Sequence, residues 1–551
     1  MTSGQATLDL LLATPGLACA TIKVPRDWHH PRNGKTFDVR ISKTRTAEPG
    51  PGRQGIALVN PGGPGGEGLP WGAAMALRAP ELAKRYDFIG FDPRGVGQSS
   101  HTPCTITVDD ARPPTSQWEV AKVFADGCRR SPDTQFMTTE QTAYDMDFIR
   151  VLLGEQRTSF IGYSYGTWLG TWYAATFPRR VHRMLLDSAT DVSTRSLQHT
   201  WDLQPMSRER AFQEQLMAYV ARHDDAYHLG TDPVAVRKRW ETAGGTRGVL
   251  GSVMSAIFIL PAMYDTTEYP TAATVVAAVV QAGEELGSSP SREVVAAAIR
   301  GIVARQLRDG TLTADERSRW EQGRDNALVA LDRLARSPLD RALGRVSATG
   351  VTTEQADMLF ELIRCQDGQW NQSARFWLEE EKRINRTAPF YGPLVTWLGY
   401  TPTCAAWPTT NRMPRVDART FPKVMIAQAE LDVATAYEGA LASSRHLPGA
   451  HMISVDNEGS HGVFPYGTTC VDDPVQRYFL TGILPDHRYT VCGAVPLPGE
   501  QQTYDVAGTM GPRGTLRLKA MSREQRQINR FVRDMLSGQV IDPVTGQPIP
   551  Q

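Results

Sequence analysis

The stretch Thr158–Gly166 reads TSFIGYSYG and is the most informative part of the sequence. Its first six residues form a buried-strand pattern, and a helical, largely apolar segment follows until Pro178. Between them stands a G-x-S-x-G motif at residues 162–166. At a sharp strand–turn–helix junction this motif exposes a serine hydroxyl above a sheet. The sequence therefore predicts a nucleophile at Ser164; the alternative is a serine that caps the helix.

Further apolar runs of strand length lie on both sides of this motif, with helical segments between those of the first half. Strands that are apolar throughout and alternate with helices indicate a mostly parallel sheet covered on both faces, so the predicted fold class is α/β. The runs are Gly55–Asn60, Tyr86–Asp92, Val181–Asp187, Lys423–Ala427 and His451–Val455.

The pattern changes between residues 197 and 415, where segments of helix length follow one another without a convincing strand. We expect this stretch to be a helical cap inserted into a core formed by residues 1–196 and 416–540, with 541–551 as a flexible tail. The predicted cap helices include Ser207–Arg222, Thr271–Leu286, Arg292–Leu307 and Thr353–Cys365.

A serine nucleophile needs a base and an orienting acid, and after a strand–turn–helix motif of this kind they follow in the order Ser, Asp or Glu, His. Asp432 and His461 come after the two strands of the second half, and glycines flank His461 on its loop. These two residues are the predicted acid and base. Glu430 and Asp187 remain rival acids.

Acyl transfer also needs donors for the oxyanion. The loop Asn60–Gly66 (NPGGPGG) follows the first clear strand, and we expect the backbone N–H groups of Gly63 and Tyr165 to be the donors. A phosphate-binding loop is disfavoured, because no G-x-x-x-x-G-K-[ST] is present and two prolines remove donors. The loop Asp92–Ser99 (DPRGVGQS) is expected to be a turn held by an Asp–Arg pair.

Composition narrows the possible partners of this 551-residue chain. Lys+Arg and Asp+Glu both number 59, so net charge gives no reason to expect binding to nucleic acid or to an anionic membrane. No apolar run approaches the roughly 20 residues that span a bilayer. The first Lys or Arg is Lys23, so no secretion signal is expected as the sequence is written. A monomer without metal or cofactor is expected.

The seven cysteines form three local couples, and Cys19 stands alone. No C-x-x-C or Cys/His cluster has a zinc spacing. Disulfides in an exported protein and buried thiols in a cytosolic one both fit these spacings. The couples are Cys104 and Cys128, Cys365 and Cys404, and Cys470 and Cys492.

The motifs NPGGPGG, FDPRGVGQS, GYSYG, AELDVATAYEGA and GSHG occur in this order around the insertion. The arrangement resembles the α/β-hydrolase family of secreted actinobacterial tripeptidyl aminopeptidases and proline iminopeptidase-like peptidases, from about Cys19 to Cys492. The resemblance implies a triad of Ser164, Asp432 and His461, an acyl-enzyme on the serine, and disulfides in the three cysteine couples. It also implies secretion.

The function implied by the resemblance is a serine exopeptidase that releases short peptides or amino acids from a free N-terminus. Acidic residues at the pocket would then hold the substrate amine. Glu67, where the family commonly has a small residue, and Asp367 are the candidates. The alternative is an esterase or amidase that deacylates a secondary-metabolite or antibiotic precursor. A catalytically inactive scaffold is the third possibility.

Overall fold

The computed structural model describes residues 11–109, 112–287, 290–308, 310–334, 351–356, 358–390, 402–407, 411–501, 509–510, 516–517 and 523–537. The tail expected at 541–551 lies outside these residues. No helix in the described parts of the chain is both long and apolar enough to cross a membrane.

The main sheet of the described residues has nine strands in the order β1-β2-β4-β3-β6-β7-β9-β10-β11. Strand β2 pairs antiparallel with β1 and β4, and all the other neighbours are parallel. The strands are β1 (Leu17–Pro25), β2 (Thr36–Thr44), β3 (Ile56–Asn60), β4 (Asp87–Asp92), β6 (Thr158–Tyr163), β7 (Val181–Asp187), β9 (Met425–Ala429), β10 (His451–Asp456) and β11 (Tyr489–Gly493).

The central strands are buried along their whole length because helices cover both faces of the sheet. Successive side chains of β3 point to opposite faces: Ile56 and Leu58 join one apolar cluster, and Ala57 and Val59 join another. The expected doubly covered α/β sheet is therefore present.

The helices are numbered in chain order from Trp71. Helices α1–α5 are Trp71–Arg78, Pro80–Ala83, Gln117–Arg130, Thr139–Leu152 and Tyr165–Thr176; α6–α11 are Gln198–Arg210, Met217–Arg222, Asp224–Tyr227, Pro233–Thr242, Val249–Met254 and Leu260–Ala262; α12–α16 are Tyr269–Leu286, Arg292–Leu307, Ala314–Leu334, Leu359–Asp367 and Ala374–Thr387; α17–α20 are Pro402–Ala405, Tyr437–His446, Thr469–Thr481 and Arg523–Ser537. Ala211–Leu216 and Ser255–Ile259 are π-helical, and Thr134–Phe136, Pro178–Arg180 and Thr266–Glu268 are 3₁₀ turns.

The stretch between β7 and β9 is mainly helical and has its own apolar cluster, in which Phe212 stacks on Phe390 at 3.8 Å. One prediction in it is wrong. Residues predicted as the helix Thr353–Cys365 are divided between strand β8 (Val351–Ala356) and α15, and β8 pairs antiparallel with β5 (Cys104–Asp109). The β-branched Val351-Thr352-Thr353 favours a strand there.

Three disulfides join the cysteine couples expected from the resemblance: Cys104–Cys128, Cys365–Cys404 and Cys470–Cys492. They tie β5 to α3, α15 to α17, and α19 to β11. Cys19 is exposed and unbonded. Disulfides persist in oxidising compartments, so these bonds indicate an exported protein.

Candidate active site

Ser164 occupies a strained turn between β6 and α5. Its φ and ψ are 55° and −127°, a conformation that non-glycine residues rarely adopt. The turn leaves no room for a side chain at Gly166, where a Cβ would lie 2.8 Å from both the carbonyl and the side-chain oxygen of Asn60. Ser164 stands at the N-cap position of α5, but its hydroxyl makes no capping hydrogen bond, so capping by this side chain, the alternative role, is not seen.

His461 and Asp432 form a buried pair. Nδ1 of His461 lies 2.9 Å from both carboxylate oxygens of Asp432. A carboxylate only accepts, so Nδ1 is the donor of this bond, and in the neutral ring Nε2 is then the nitrogen with the lone pair. Nε2 is buried and has no hydrogen-bond partner among the described residues. The ring is thus arranged to accept a proton at Nε2.

The Asp432 carboxylate is fixed from its other side. The backbone N–H groups of Ala434 and Thr435 donate to Oδ1 at 2.8 and 2.9 Å, and the Thr435 hydroxyl donates to Oδ2 at 3.1 Å. These bonds close a turn directly after β9 and hold the carboxylate in one orientation towards His461.

The two rival acids serve other loops. Glu430 accepts the backbone N–H of Asn457 at 2.7 Å. Asp187 accepts the N–H groups of Val463 and Phe464 at 2.8 and 2.6 Å. Burial raises the pKa of Asp187 to about 7, against the effect of these two bonds. Asp187 therefore shapes the loop that follows His461, whereas Asp432 contacts the imidazole.

The ends of β6 and β7 bring the Ser164 turn and the His461 loop together. The Asp187 carbonyl accepts the N–H of Ser164 at 3.0 Å, and the Ser188 hydroxyl accepts the N–H of Gly462 at 2.8 Å. Two consecutive residues at the end of β7 thus hold both segments. Strand β7 places the serine and the histidine at the same edge of the sheet.

The loop after β3 packs directly on the serine turn. Gly62 has φ 98°, and a Cβ there would lie 2.5 Å from the Tyr163 carbonyl oxygen and 3.0 Å from the Tyr165 nitrogen. The N–H of Gly62 donates to Asn60 Oδ1 at 3.1 Å. Tyr165 is the first residue of α5, so its N–H has no partner within the helix. Loop and helix start together form a corner where backbone donors can meet an oxyanion.

Comparisons with known proteins agree with this geometry. An alpha/beta hydrolase fold model matches residues 58–232, and a TAP-like protein model matches 388–492. The tripeptidyl aminopeptidase of Streptomyces lividans is 30% identical over 88% of this chain and 85% of its own length. This chain belongs to the tripeptidyl aminopeptidase family. The serine protease Hip1 of Mycobacterium tuberculosis is 26% identical over 85% and 86% of the two chains, and a carboxylesterase B of that species is 29% identical over 85% of each.

In this family member the two candidate amine-binding carboxylates differ sharply in environment. The Glu67 side chain is exposed beside Gly97, although partial desolvation of its carboxyl group and the nearby Asp92 carboxylate raise its pKa. Asp367, at the end of α15, is fully buried, and its Oδ2 accepts the N–H of Thr139 at 3.0 Å. The Thr139 hydroxyl bridges this carboxylate to the phenol oxygen of Tyr165. Asp367 is thus linked to the residue that follows Ser164.

The Asp92 loop differs from its prediction. Arg94 forms a buried bidentate pair with Asp145 on α4, at 2.6 and 2.8 Å, rather than with Asp92. Asp92 instead accepts the N–H groups of Gly68 and Leu69, both at 2.9 Å. It therefore fixes the segment at Gly68 and Leu69, directly after the loop that follows β3, a contact that the spacing within DPRGVGQS did not indicate.

One group of possible metal ligands occurs among the described residues: Glu361, Cys365 and Cys404. Both cysteines are consumed by their disulfide, so neither offers the thiolate that metal binding requires. These three residues therefore do not form a metal site.

Proposed function

We propose that this protein is a serine exopeptidase that uses Ser164, His461 and Asp432 as a catalytic triad. The observation that carries the proposal is the buried pair of His461 and Asp432. Nε2 of His461 has no partner among the described residues, and the loop of His461 is held by the end of β7, which also holds the Ser164 turn. Ser164 attacks the substrate carbonyl while His461 takes its proton and later donates it to the leaving amine. The acyl-enzyme on Ser164 is then hydrolysed by water.

The N–H groups of Gly63 and Tyr165 are the proposed oxyanion donors. Support comes from the packing of the Gly62–Gly63 turn against the start of α5. Donors fixed by the backbone need no rearrangement as charge develops on the oxygen, which is why such holes are worth several kcal/mol in transition-state stabilisation.

Residues 197–415 are proposed to act as a cap that admits short substrates. Helix α6 contacts the loop that carries Asp432. The Ser207 hydroxyl donates to the Asp432 carbonyl, and Arg208 Nε donates to the Val433 carbonyl at 2.9 Å. On the other side, the Tyr264 carbonyl accepts the N–H of His461 at 2.9 Å. A segment that touches both loops is suited to restricting access.

The proposed substrate is a short peptide with a free N-terminus, as the names of the Streptomyces relatives suggest. Glu67 and Asp367 are the carboxylates proposed to hold its amine. The enzyme is proposed to act as an exported monomer, without nucleic-acid or membrane partners. An esterase or amidase function is the second candidate, because one relative is a carboxylesterase B.

A substrate panel separates these functions. Purified protein is incubated with chromogenic tripeptides, single amino-acid amides, N-acylated analogues and esters. Cleavage that requires a free α-amine supports the exopeptidase. Preference for N-acyl or ester substrates supports the second candidate. Glu67→Gln and Asp367→Asn are tested on the same panel, where an amine-binding role predicts a raised KM for free-amine peptides only.

A further inference from the structure

The peptide segment around Tyr264 holds the backbone of the His461 loop. The Tyr264 carbonyl accepts the His461 N–H, and its ring meets the imidazole edge-to-face at 5.4 Å. Two residues later, the Thr266 N–H donates to Ser460 Oγ at 3.1 Å, and its hydroxyl donates to Glu458 Oε1 at 3.1 Å. The position of His461 therefore depends on the position of residues 264–266.

Asp265 lies in the middle of this segment and organises it. Its Oδ1 accepts the backbone N–H and the hydroxyl of Thr267 at 3.0 and 2.8 Å. The same oxygen accepts a third bond from Arg533 Nη1, also at 3.0 Å. Asp265 is buried and Arg533 is partly buried, so this ion pair is screened less than a surface pair. The partner of Asp265 belongs to α20, which is far away in the sequence, since 268 positions separate the two residues.

Helix α20 packs against the core through one buried apolar face. Ile528, Val532 and Leu536, spaced four residues apart on one face, are all buried in the apolar cluster that also contains Tyr163 and Phe464. Arg78 of α1 donates to Asn529 Oδ1 at 2.7 Å. Leu536 packs directly on Gly462, where a Cβ would lie 2.6 Å from its Cδ1. The helix thus reaches both sides of His461: Gly462 through Leu536, and Tyr264 through Arg533 and Asp265.

We propose that Arg533 is a positioning residue for His461. It fixes the Asp265 turn, and this turn presents the Tyr264 carbonyl to the His461 N–H, so helix α20 completes the catalytic geometry although it touches none of the reacting atoms. The inference rests on the proposed function, because it treats His461 as the catalytic base. Leu536 is the second contact through which the helix acts.

A shift of the base by about 1 Å can lower the rate on the order of 100-fold. Arg533→Gln removes the charge, and we expect it to lower kcat at least tenfold with little change in KM. The pH profile of kcat/KM should change as well, because the imidazole environment is altered. Arg533→Lys keeps a cation and should restore part of the activity. Arg530→Gln, an exposed arginine on the same helix, is the matched control and should behave like the parent enzyme.

The ion pair is tested separately by a double-mutant cycle with Asp265→Asn, which keeps the oxygen that accepts from Thr267 and Arg533 but removes the negative charge that pairs with Arg533. If Arg533 acts through Asp265, the double variant should be no slower than the slower single variant. This cycle also covers the case in which Arg533→Gln folds poorly, because Asp265→Asn alone must then lower kcat. Melting temperature is recorded for every variant, and kcat is expressed per active site titrated with fluorophosphonate.

Full kcat per titrated site and an unchanged pH profile in both Arg533→Gln and Asp265→Asn would overturn the inference. Additive losses in the cycle would also contradict it. Failure of the proposed function gives a different result, namely that the parent enzyme itself is not labelled at Ser164. The two failures are therefore distinguishable in one set of measurements.

Discussion

The effect of replacing Asp367 by Asn on heat resistance, measured relative to the parent protein, should be more favourable at alkaline pH than at acid pH. Burial raises the pKa of Asp367 from 3.8 to about 7, although hydrogen bonds from Thr139 act in the opposite direction. An asparagine oxygen can still accept from Thr139, so the substitution removes the titration and keeps the acceptor.

The sign and size follow from proton linkage. Between about pH 4 and pH 7 the folded state keeps a proton on Asp367 that the unfolded state has lost, so stability falls as pH rises through this window. Each pH unit well inside this window lowers the free energy of unfolding by about 1.4 kcal/mol, and the slope fades near pH 7, so the whole interval from pH 5 to pH 8 costs about 2.7 kcal/mol. The Asp367→Asn variant has no carboxyl group at this position, so its free energy of unfolding does not fall for this reason. The unfolding entropy of a chain of this length is about 1.2 kcal/mol/K. Dividing the free-energy difference between variant and parent by this entropy gives a difference of about 2 °C in Tm.

Calorimetry of the parent and the variant at pH 5 and pH 8 measures this effect. The gap in Tm between the variant and the parent should widen by about 2 °C at pH 8. Asp225→Asn, at an exposed carboxylate, is the control and should show no widening. An equal gap at both pH values would refute the reasoning, since Asp367 would then be ionised in the folded state at both.

Three more predictions concern the site and the disulfides. Asp432→Asn should lower kcat about 10⁴-fold while KM stays near its parent value, because His461 loses the partner that sets its tautomer; a loss below tenfold in steady-state kinetics would contradict this. Gly62→Ala should lower kcat by on the order of 100-fold, because the new Cβ would lie 2.5 Å from the Tyr163 carbonyl oxygen; unchanged kcat would show that the oxyanion corner tolerates it. Thiol titration of the denatured, unreduced protein should find one thiol, that of Cys19; seven would refute the disulfides.

The sequence predicts those parts of the fold whose residues carry the pattern of a strand or helix within the segment itself. Strands β6 and β7 occupy the predicted bounds because each is a continuous apolar run next to a Gly or Pro signal. The His461–Asp432 contact joins residues 29 positions apart, yet it is predictable because both follow neighbouring parallel strands. A shared edge of the sheet brings such residues together.

The parts that sequence could not predict depend on partners far away in the chain. Strand β8 pairs with β5, for example Gln355 with Thr105, which is 250 positions away in the chain. The three β-branched residues at its start are too short a run to indicate a strand without that partner. Arg94 pairs with Asp145 rather than with the nearer Asp92, because the final choice among several carboxylates is made by packing. The contact of Arg533 with Asp265 has the same origin. Charged residues are common, and spacing does not tell which two will meet.

The most direct test of the central claim is mass spectrometry of the protein after reaction with a fluorophosphonate probe, with Ser164→Ala in parallel. We expect a single modified peptide that carries the probe on Ser164, no label on the alanine variant, and an equal melting temperature for both proteins. Label on another serine, or turnover by Ser164→Ala equal to that of the parent enzyme, would contradict it.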